Sequence, residues 1–412
     1  MATGVLSYRF PPSNPMVSGN QESTVIVTPL NASTAQAYTS SGSSSIIFNF
    51  ASNTNFLRTQ QSYFSYSVVP KDANGNVLTS GVTSSYQGAS RAFSRLIVRI
   101  GATEIENLVI DDLTAIYYST LSPAAHRMLN MTEGFGNINA FASGKMKCAS
   151  QVLSSIWSTP QCIPLPLISA GGGLTVEFVL APVSNLFTSA NVASFDIVDP
   201  RMVCTMVSPP ADFTVSLVNA IRSGQKSAFM PFTKVRQFRS NGLMSNTNML
   251  VLPIGNVRSV DRLTTVSWDE QAYALRSNDK YFRFGQNALV DYKVEGADLV
   301  SPKSSTYAGN GSDAEYILNT YVQEVGSIYN LGENVYIPDN YSSTAFRIQQ
   351  TYTSEQEQHG SGLSLINAAS PNITITTTHS APVPSTITFN TFVSTSALME
   401  ITSQMINVTE VF

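Results

Sequence analysis

Charge is what this sequence has least of. Asp, Glu, Lys and Arg make up 12% of its 412 residues, about half of the ~25% usual in a soluble domain. The charges present nearly cancel, 23 Lys and Arg against 27 Asp and Glu, for a net charge of −4. No basic cluster stands out, and between residues 1 and 50 the only basic side chain is Arg9. A protein that condenses naked nucleic acid usually carries an Arg- and Lys-rich arm, because releasing counterions from neutralised phosphates supplies the affinity. That arm is missing, and no sequence-specific nucleic-acid partner is expected. Cysteine is scarce as well: Cys148, Cys162 and Cys204 are too few and too scattered for a disulfide framework, and their odd number leaves at least one free. The longest apolar stretch, Ile163 to Val183, is broken by Pro164, Pro166, Gly171 to Gly173 and Glu177, which excludes a transmembrane helix there. Met1 to Pro12 has no apolar core of a secretory leader. Synthesis in a reducing cytosol without membrane insertion is the expectation.

Ser, Thr and Asn stand where Lys and Glu would cover helix surfaces. These residues compete with helical backbone bonding and suit turns, and Thr also suits strands. With 43% apolar residues the chain can bury a sizeable core, and its length accommodates two or three domains. An all-β chain is expected.

Residues 1–44 are rich in Pro, Ser, Asn and Thr and read as an extended arm, with a strand near Thr24–Pro29. Alternation begins at Ser45, where Ile47 opposes Phe48 and Phe50, and Tyr63 to Val69 forms the next strand. Asp72-Ala-Asn74-Gly75-Asn76 supplies an Asn-Gly hairpin turn. In Ser94 to Ile100 the apolar Leu96, Val98 and Ile100 share one face, with Arg95 and Arg99 on the other. Leu113, Ile116, Tyr117 and Leu121 have helical spacing, and Ser122-Pro123 starts a second short helix. Strands are expected at Cys162–Leu167, Leu174–Leu180 and Phe195–Val207. Pro209-Pro210 then precedes Asp212 as an N-cap, an apolar stripe of Phe213, Leu217 and Ile221, and Gly224 as a stop. A single short helix therefore sits at the midpoint of a strand-rich chain.

The second half repeats that order. Strand regions at Ala228–Phe238 and Met249–Trp268 precede Tyr281-Phe-Arg283-Phe-Gly285, which parallels Leu96-Ile-Val-Arg99-Ile-Gly101. A helix follows from Ser312, with Glu315 completing a capping box and Ile317, Tyr321 and Val325 at helical spacing. Val335–Thr351, Ile373–Thr378, Thr386–Val393 and Met399–Val408 close the chain as strands. The duplication is one of order, not identity. It predicts an all-β chain of two tandem eight-stranded jelly rolls joined by a short helix, with a few short helices in loops. The ranges are 1–44 for the arm, 45–209 for the first roll, 210–225 for the linker helix and 226–412 for the second roll.

Several segments carry a family resemblance: Ser62-Tyr63-Phe64-Ser65-Tyr66, then Ala92-Phe93-Ser94-Arg95-Leu96-Ile97-Val98-Arg99-Ile100-Gly101 and Glu104-Ile105-Glu106. Ile163-Pro-Leu-Pro-Leu, Gly171-Gly-Gly-Leu174-Thr-Val-Glu177-Phe, Phe195-Asp-Ile-Val-Asp199-Pro and Ser361-Gly362-Leu363-Ser364-Leu365 follow. In this order, over roughly residues 45–412, the chain resembles the double jelly-roll major capsid proteins of adenovirus-, tectivirus-, polinton-like and adintovirus-type DNA viruses. That resemblance implies a structural protein of the virion shell, assembled inside the host cell. It further implies homotrimeric, pseudo-hexagonal capsomers tiling an icosahedral lattice, with penton and minor capsid proteins as partners and an internal membrane as a possible one. Tyr8, Arg9 and Phe10 are the candidate anchors of an assembly arm. Two other readings compete: a single jelly-roll shell protein with a β-rich protruding domain, and a glycan-binding β-sandwich adhesin.

No residue pattern points to catalysis, and neither an enzyme, a cofactor nor a metal is expected. Glu355, Glu357 and His359 would share a face if they lay on a strand, but a polar loop leading into Gly360-Ser-Gly362 explains them better. Asp72, Asn74 and Asn76 mimic the start of a calcium loop, yet Val77 and Thr83 occupy the positions that need Gly and Glu. His126, His359 and His379 form no His-x-His pair, and no Gly-x-Ser-x-Gly elbow exists. Glu104/Glu106 and Asp111/Asp112 flank a helix start, where capping and dipole effects account for them. Gly171 to Gly173 precedes a strand and reads as a turn. Asn-x-Ser/Thr sequons at Asn31, Asn130, Asn310, Asn340, Asn372 and Asn407 are taken as silent.

Overall fold

In the computed structural model, the described residues are 21–30, 37–40, 44–110, 113–114, 123–157, 159, 162–224, 227–269, 289–296, 299–300, 348–352, 362–366, 368, 371–402 and 406–409. They divide into two compact units, the first running to Phe232 and taking in Leu398–Thr409, the second running from Thr233 to Ala397. The first contains β1 (Gln21–Val27), β2 (Ala37–Thr39), β3 (Ser45–Phe50), β4 (Phe56–Lys71), β5 (Phe93–Ile100), β6 (Thr103–Leu108), β7 (Met146–Gln151), β8 (Leu174–Leu180) and β9 (Ser194–Ser208). After the helix Ala211–Arg222 come β10 (Ala228–Asn241), β11 (Thr247–Leu252), β12 (Val260–Asp269), β13 (Leu289–Gly296), β14 (Leu299–Val300), β15 (Ile348–Thr351), β16 (Ile373–His379), β17 (Ile387–Ile401) and β18 (Ile406–Thr409).

The pairing is the same in both halves. One pair of sheets runs β1-β9-β4-β7 and β3-β8-β5-β6, with the short β2 also on β9; the other runs β10-β17-β12-β15 and β11-β16-β13-β14. Setting β2 and β18 aside and ranking strands by chain order, each half reads 1-8-3-6 in one sheet and 2-7-4-5 in the other. Strand 1 thus lies beside 8, 2 beside 7, 3 beside 6 and 4 beside 5, which is a long hairpin rolled into a jelly roll. The single-roll reading is set aside by this second eight-stranded unit.

Alternation fixes which face each strand buries. Ile46, Phe48 and Phe50 of β3 point into the first roll, as do Leu174, Val176, Phe178 and Leu180 of β8. The sequence Ser-Tyr-Phe-Ser-Tyr places Phe64 and Tyr66 of β4 in the same core. There Phe64 stacks on Phe178 at 4.5 Å and meets Phe48 edge-on at 5.6 Å. β4 belongs to one sheet and β3 and β8 to the other, so aromatic rings join the two layers. The second roll does the same with aliphatic side chains, among them Leu250, Leu263, Val294, Ile375 and Val393. One topology accepts two core chemistries, which is why the repeat is faint in the letters.

Four expectations are corrected. Cys162–Leu167 is not a strand: Ile163 makes an isolated bridge to Leu57, and Leu165–Ile168 forms a helical turn begun by the prolines. Met249–Trp268 is two strands in different sheets, β11 and β12. Asp212 is not the N-cap of the central helix. Pro210 takes that position, and Asp212 lies in the first turn, where its carboxylate meets the positive end of the helix dipole. The buried stripe of that helix is Thr214, Leu217 and Ile221, with Phe213 left 40% exposed. Ser, Thr and Asn also occur inside the second roll, because β17 is buried on both faces from Ile387 to Ala397. Its hydroxyls and amides are paired there: Thr391 with Thr265 at 2.9 Å, and Asn390 with Gln237 at 3.0 Å. The Tyr281–Gly285 segment and the helix expected at Ser312 lie outside the described residues.

Candidate functional site

Each chemical candidate in the described residues is absorbed by local structure. Asp72 Oδ1 accepts the amides of Asn76 at 2.8 Å and Asn74 at 2.9 Å, and Gly75 turns the chain at φ +83°. The Asn76 amide first, and then its side chain and the Asn74 and Gly75 amides, hold the Asp72 carboxyl below the ordinary carboxylate value. The apparent calcium loop is therefore a turn that uses its own carboxylate. Gly171 to Gly173 is also a turn. The Gly101 amide donates to the Gly173 carbonyl at 2.9 Å, and a Cβ on Gly101 would stand 2.3 Å from the Gly171 oxygen. Two glycine turns thus meet where side chains have no room.

Glu104 and Glu106 play separate parts. Glu104 lies 4.0 Å from Arg99, whose guanidinium also pairs with Glu177 at 2.7 Å across the outward face of the sheet. Glu106 is buried and accepts hydrogen bonds from the Ser154 hydroxyl and the Ser155 amide. β6 is an edge of one sheet and Ser154 follows β7, an edge of the other, so Glu106 clamps the sandwich where its two edges meet. Asp196 of β9 is likewise buried, paired with Lys71 of β4 and with Thr39 of β2 at 2.7 Å. In the second roll Asp261 accepts from Ser259 at 2.7 Å and Ser396 at 2.9 Å. Isolated carboxylates in an interior cost several kcal/mol unless satisfied this way. These carboxylates hold strands together, and sequence reading missed them because the partners that tie the strands (Ser154 for Glu106, Lys71 and Thr39 for Asp196, Ser396 for Asp261) are more than 40 residues away along the chain.

Among the described residues no group of three or more His, Cys, Asp or Glu side chains could hold a metal ion. His126 sits beside the Phe135 ring at 5.0 Å, and His379 is buried with its Nε2 at 3.0 Å from the Thr377 hydroxyl. Cys148, Cys162 and Cys204 are all buried, and none is in a disulfide. Burial pushes all three above the ordinary thiol value, Cys204 up to about 12. Asn130 of the sequon donates its side-chain amide to the Phe135 carbonyl at 2.8 Å. No helix among the described residues is long and apolar enough to cross a membrane. Tyr8, Arg9, Phe10, Asp111, Asp112, Glu355, Glu357 and His359 lie outside the described residues.

The surface carries what the interior does not explain. Of the fourteen exposed large apolar side chains among the described residues, eight fall in two patches. In the first unit Met128 and Met131 project from the helix Pro123–Glu133, 68% and 81% exposed. In the same unit Tyr86 packs edge-on against Phe135 at 5.3 Å, a ring that also lies 5.0 Å from His126 of that helix, and the Ile138 carbonyl accepts the Ser84 amide. In the second unit Leu243 and Met244 project from the turn before β11, and Met249 and Val251 continue outward along that strand.

No protein-family model matches the chain, and no curated protein matches it. Solved structures do. The chain is similar to the capsid protein in the PBCV-1 virus capsid, with a TM-score of 0.65 over 97% of this chain and 98% of that one at 10% identity. It is similar to the Faustovirus major capsid protein, with a TM-score of 0.60 over 93% and 90% at 9% identity. The major capsid protein of Sulfolobus turreted icosahedral virus gives a TM-score of 0.51 over 91% and 96% at 12% identity. With the strand order 1-8-3-6 and 2-7-4-5 found twice, the chain has the double jelly-roll fold of these viral capsid proteins.

Proposed function

We propose that this chain is a major capsid protein, a non-enzymatic building block of a virion shell that acts by assembling with copies of itself. The observation that carries the reading is the pairing order found twice in one chain, which places two equal rolls in one polypeptide. Three such chains supply six rolls, enough for a pseudo-hexagonal unit of an icosahedral lattice. The chemistry agrees: carboxylates and thiols are spent on holding strands or are buried, and the weakly charged surface can be covered without stranding ions. In this proposal the residues before β1 form an arm anchored through Tyr8, Arg9 and Phe10, the first roll takes in β1 and residues 45–209, 226–412 is the second roll, and 210–225 is the linker. Penton and minor capsid proteins, and an internal membrane, are the further partners that the reading admits. Expression of the full chain tests it. Sedimentation velocity is expected to show a trimer that resists dilution, and negative-stain images should show particles with near-hexagonal outline. A chain that stays monomeric at every concentration overturns the reading.

A further inference from the structure

Two Asn-Gly pairs stand among the described residues, Asn74-Gly75 and Asn241-Gly242, and the fold treats them in opposite ways. An Asn followed by Gly carries its own chemistry. The Gly main-chain nitrogen can attack the Asn side-chain amide carbon, because no Cβ on the Gly shields that nitrogen or narrows its backbone angles. What else holds the nitrogen then decides whether the attack occurs.

Gly75 sits at the tip of an exposed turn, with Asn74 exposed beside it. Its amide donates to the Asp72 carbonyl at 3.1 Å, and the Asn74 and Asn76 amides donate to the Asp72 carboxylate. These bonds all close within residues 72–76, and a Cβ on Gly75 would meet nothing within 4 Å. The tip can therefore open without disturbing either sheet, at the low end of the range of local opening free energies. Gly242 is held from elsewhere. It is buried, and its amide donates to the Ile387 carbonyl of β17 at 2.8 Å. A Cβ on it would stand 2.3 Å from the Pro384 oxygen, and the Asn241 Oδ1 accepts the Thr388 hydroxyl at 3.3 Å. Freeing that nitrogen means unpairing the end of β10 from β17.

We propose that Asn74 is a site of spontaneous deamidation, while the fold preserves the amide of Asn241. The Gly75 nitrogen gives up its proton to water and bonds to Cγ of Asn74. The Cγ–Nδ2 bond breaks, ammonia leaves with a proton, and a five-membered succinimide remains. Water then adds to one of the two ring carbonyls and opens the ring, giving Asp or isoaspartate at position 74. One water is consumed and one ammonia released, with nothing oxidised or reduced. Either product sets a second carboxylate beside Asp72, and like charges at that spacing repel. Isoaspartate also lengthens the main chain by one carbon, so the Asp72–Asn76 pairing across the turn loses its register. Each copy thus gains a negative charge at this tip with age. The inference stands apart from the capsid reading.

The test holds the full chain, folded, in neutral buffer at physiological temperature for weeks. Digestion at mildly acidic pH and mass spectrometry then read each peptide, and isoaspartyl methyltransferase with a labelled methyl donor reports isoaspartate. Asn74 is expected to convert at least about ten-fold faster than Asn241, the ratio set by the extra opening that Gly242 requires. In urea strong enough to unfold the chain, the two sites should convert at similar rates, because they share the same dipeptide. Asn74→Gln, whose longer side chain would have to close a less favourable six-membered ring, should leave that peptide unmethylated and the melting temperature unchanged. Asn310-Gly311 lies outside the described residues and is read as its own peptide. Equal rates in the folded chain overturn the inference, as does a ratio that survives in urea. So does a folded Asn74 that keeps its amide while the unfolded chain loses it. None of these results touches the capsid reading, which the trimer measurement tests.

Discussion

Phe64 touches rings from three other strands, stacking on Phe178 and lying 5.6 and 5.4 Å from Phe48 and Phe93. Its removal opens a void between two sheets that cannot collapse independently. Phe64→Ala is therefore expected to cost about 3–5 kcal/mol, read from the shift in the urea unfolding midpoint, and a loss below about 1 kcal/mol would mean the rings do not join the layers. The thiols supply a second prediction. Cys204 keeps its proton in the folded chain to about pH 12 against an ordinary value of 9.0, so the unfolded chain deprotonates first. The stability this contributes is whole below that ordinary value and drains away as pH climbs toward the folded value. Cys204→Ala should flatten the alkaline decline of the melting temperature, and parallel curves for the two proteins would refute the assignment. At neutral pH all three thiols should resist a disulfide-exchange reagent until the chain is unfolded.

At the level of elements, the Lys71–Asp196–Thr39 cluster joins β4, β9 and β2. Asp196→Asn keeps an acceptor for Thr39 and removes the charge beside a Lys71 ammonium that is about one-quarter exposed. A loss of roughly 1–3 kcal/mol is expected, part of it screened by water, and raising salt should narrow the gap between variant and wild type. The elements also show what could be read from the letters. β3, β8 and β16 alternate cleanly because one face is buried and the other is partly wet, so period two survives in the sequence. β17 is buried on both faces and carries Thr, Asn and Ser inside; its partners, such as Thr265 and Gln237, come from strands that no local window contains. The run at Cys162 looked like a strand because it is apolar, but Pro164 and Pro166 favour the start of a helical turn. The helix after Pro210 was legible, although its stripe is turned so that Thr214, not Phe213, faces inward. The fold class and the duplicated order could thus be read, whereas the buried carboxylates could not, since they depend on which distant segments come together.

For the whole molecule, sparse charge governs behaviour in solution. Contacts between weakly charged apolar surfaces are little affected by ionic screening and are strengthened by excluded salts. Association is expected to hold when sodium chloride is raised tenfold and to tighten in ammonium sulfate. Dissociation by sodium chloride would point instead to an interface made of ion pairs.

The nesting of strands also has a consequence for how the chain is made. In each roll the eighth strand, β9 or β17, is an inner strand flanked by much earlier ones. A growing polypeptide at the ribosome therefore holds an unfilled slot until residue 208 emerges, closes its first roll, and waits again until β17 arrives. At about 5–20 residues per second, the first roll is finished roughly ten seconds or more before the second can close. Chaperones would meet a nascent chain with one half folded and the other still gaping.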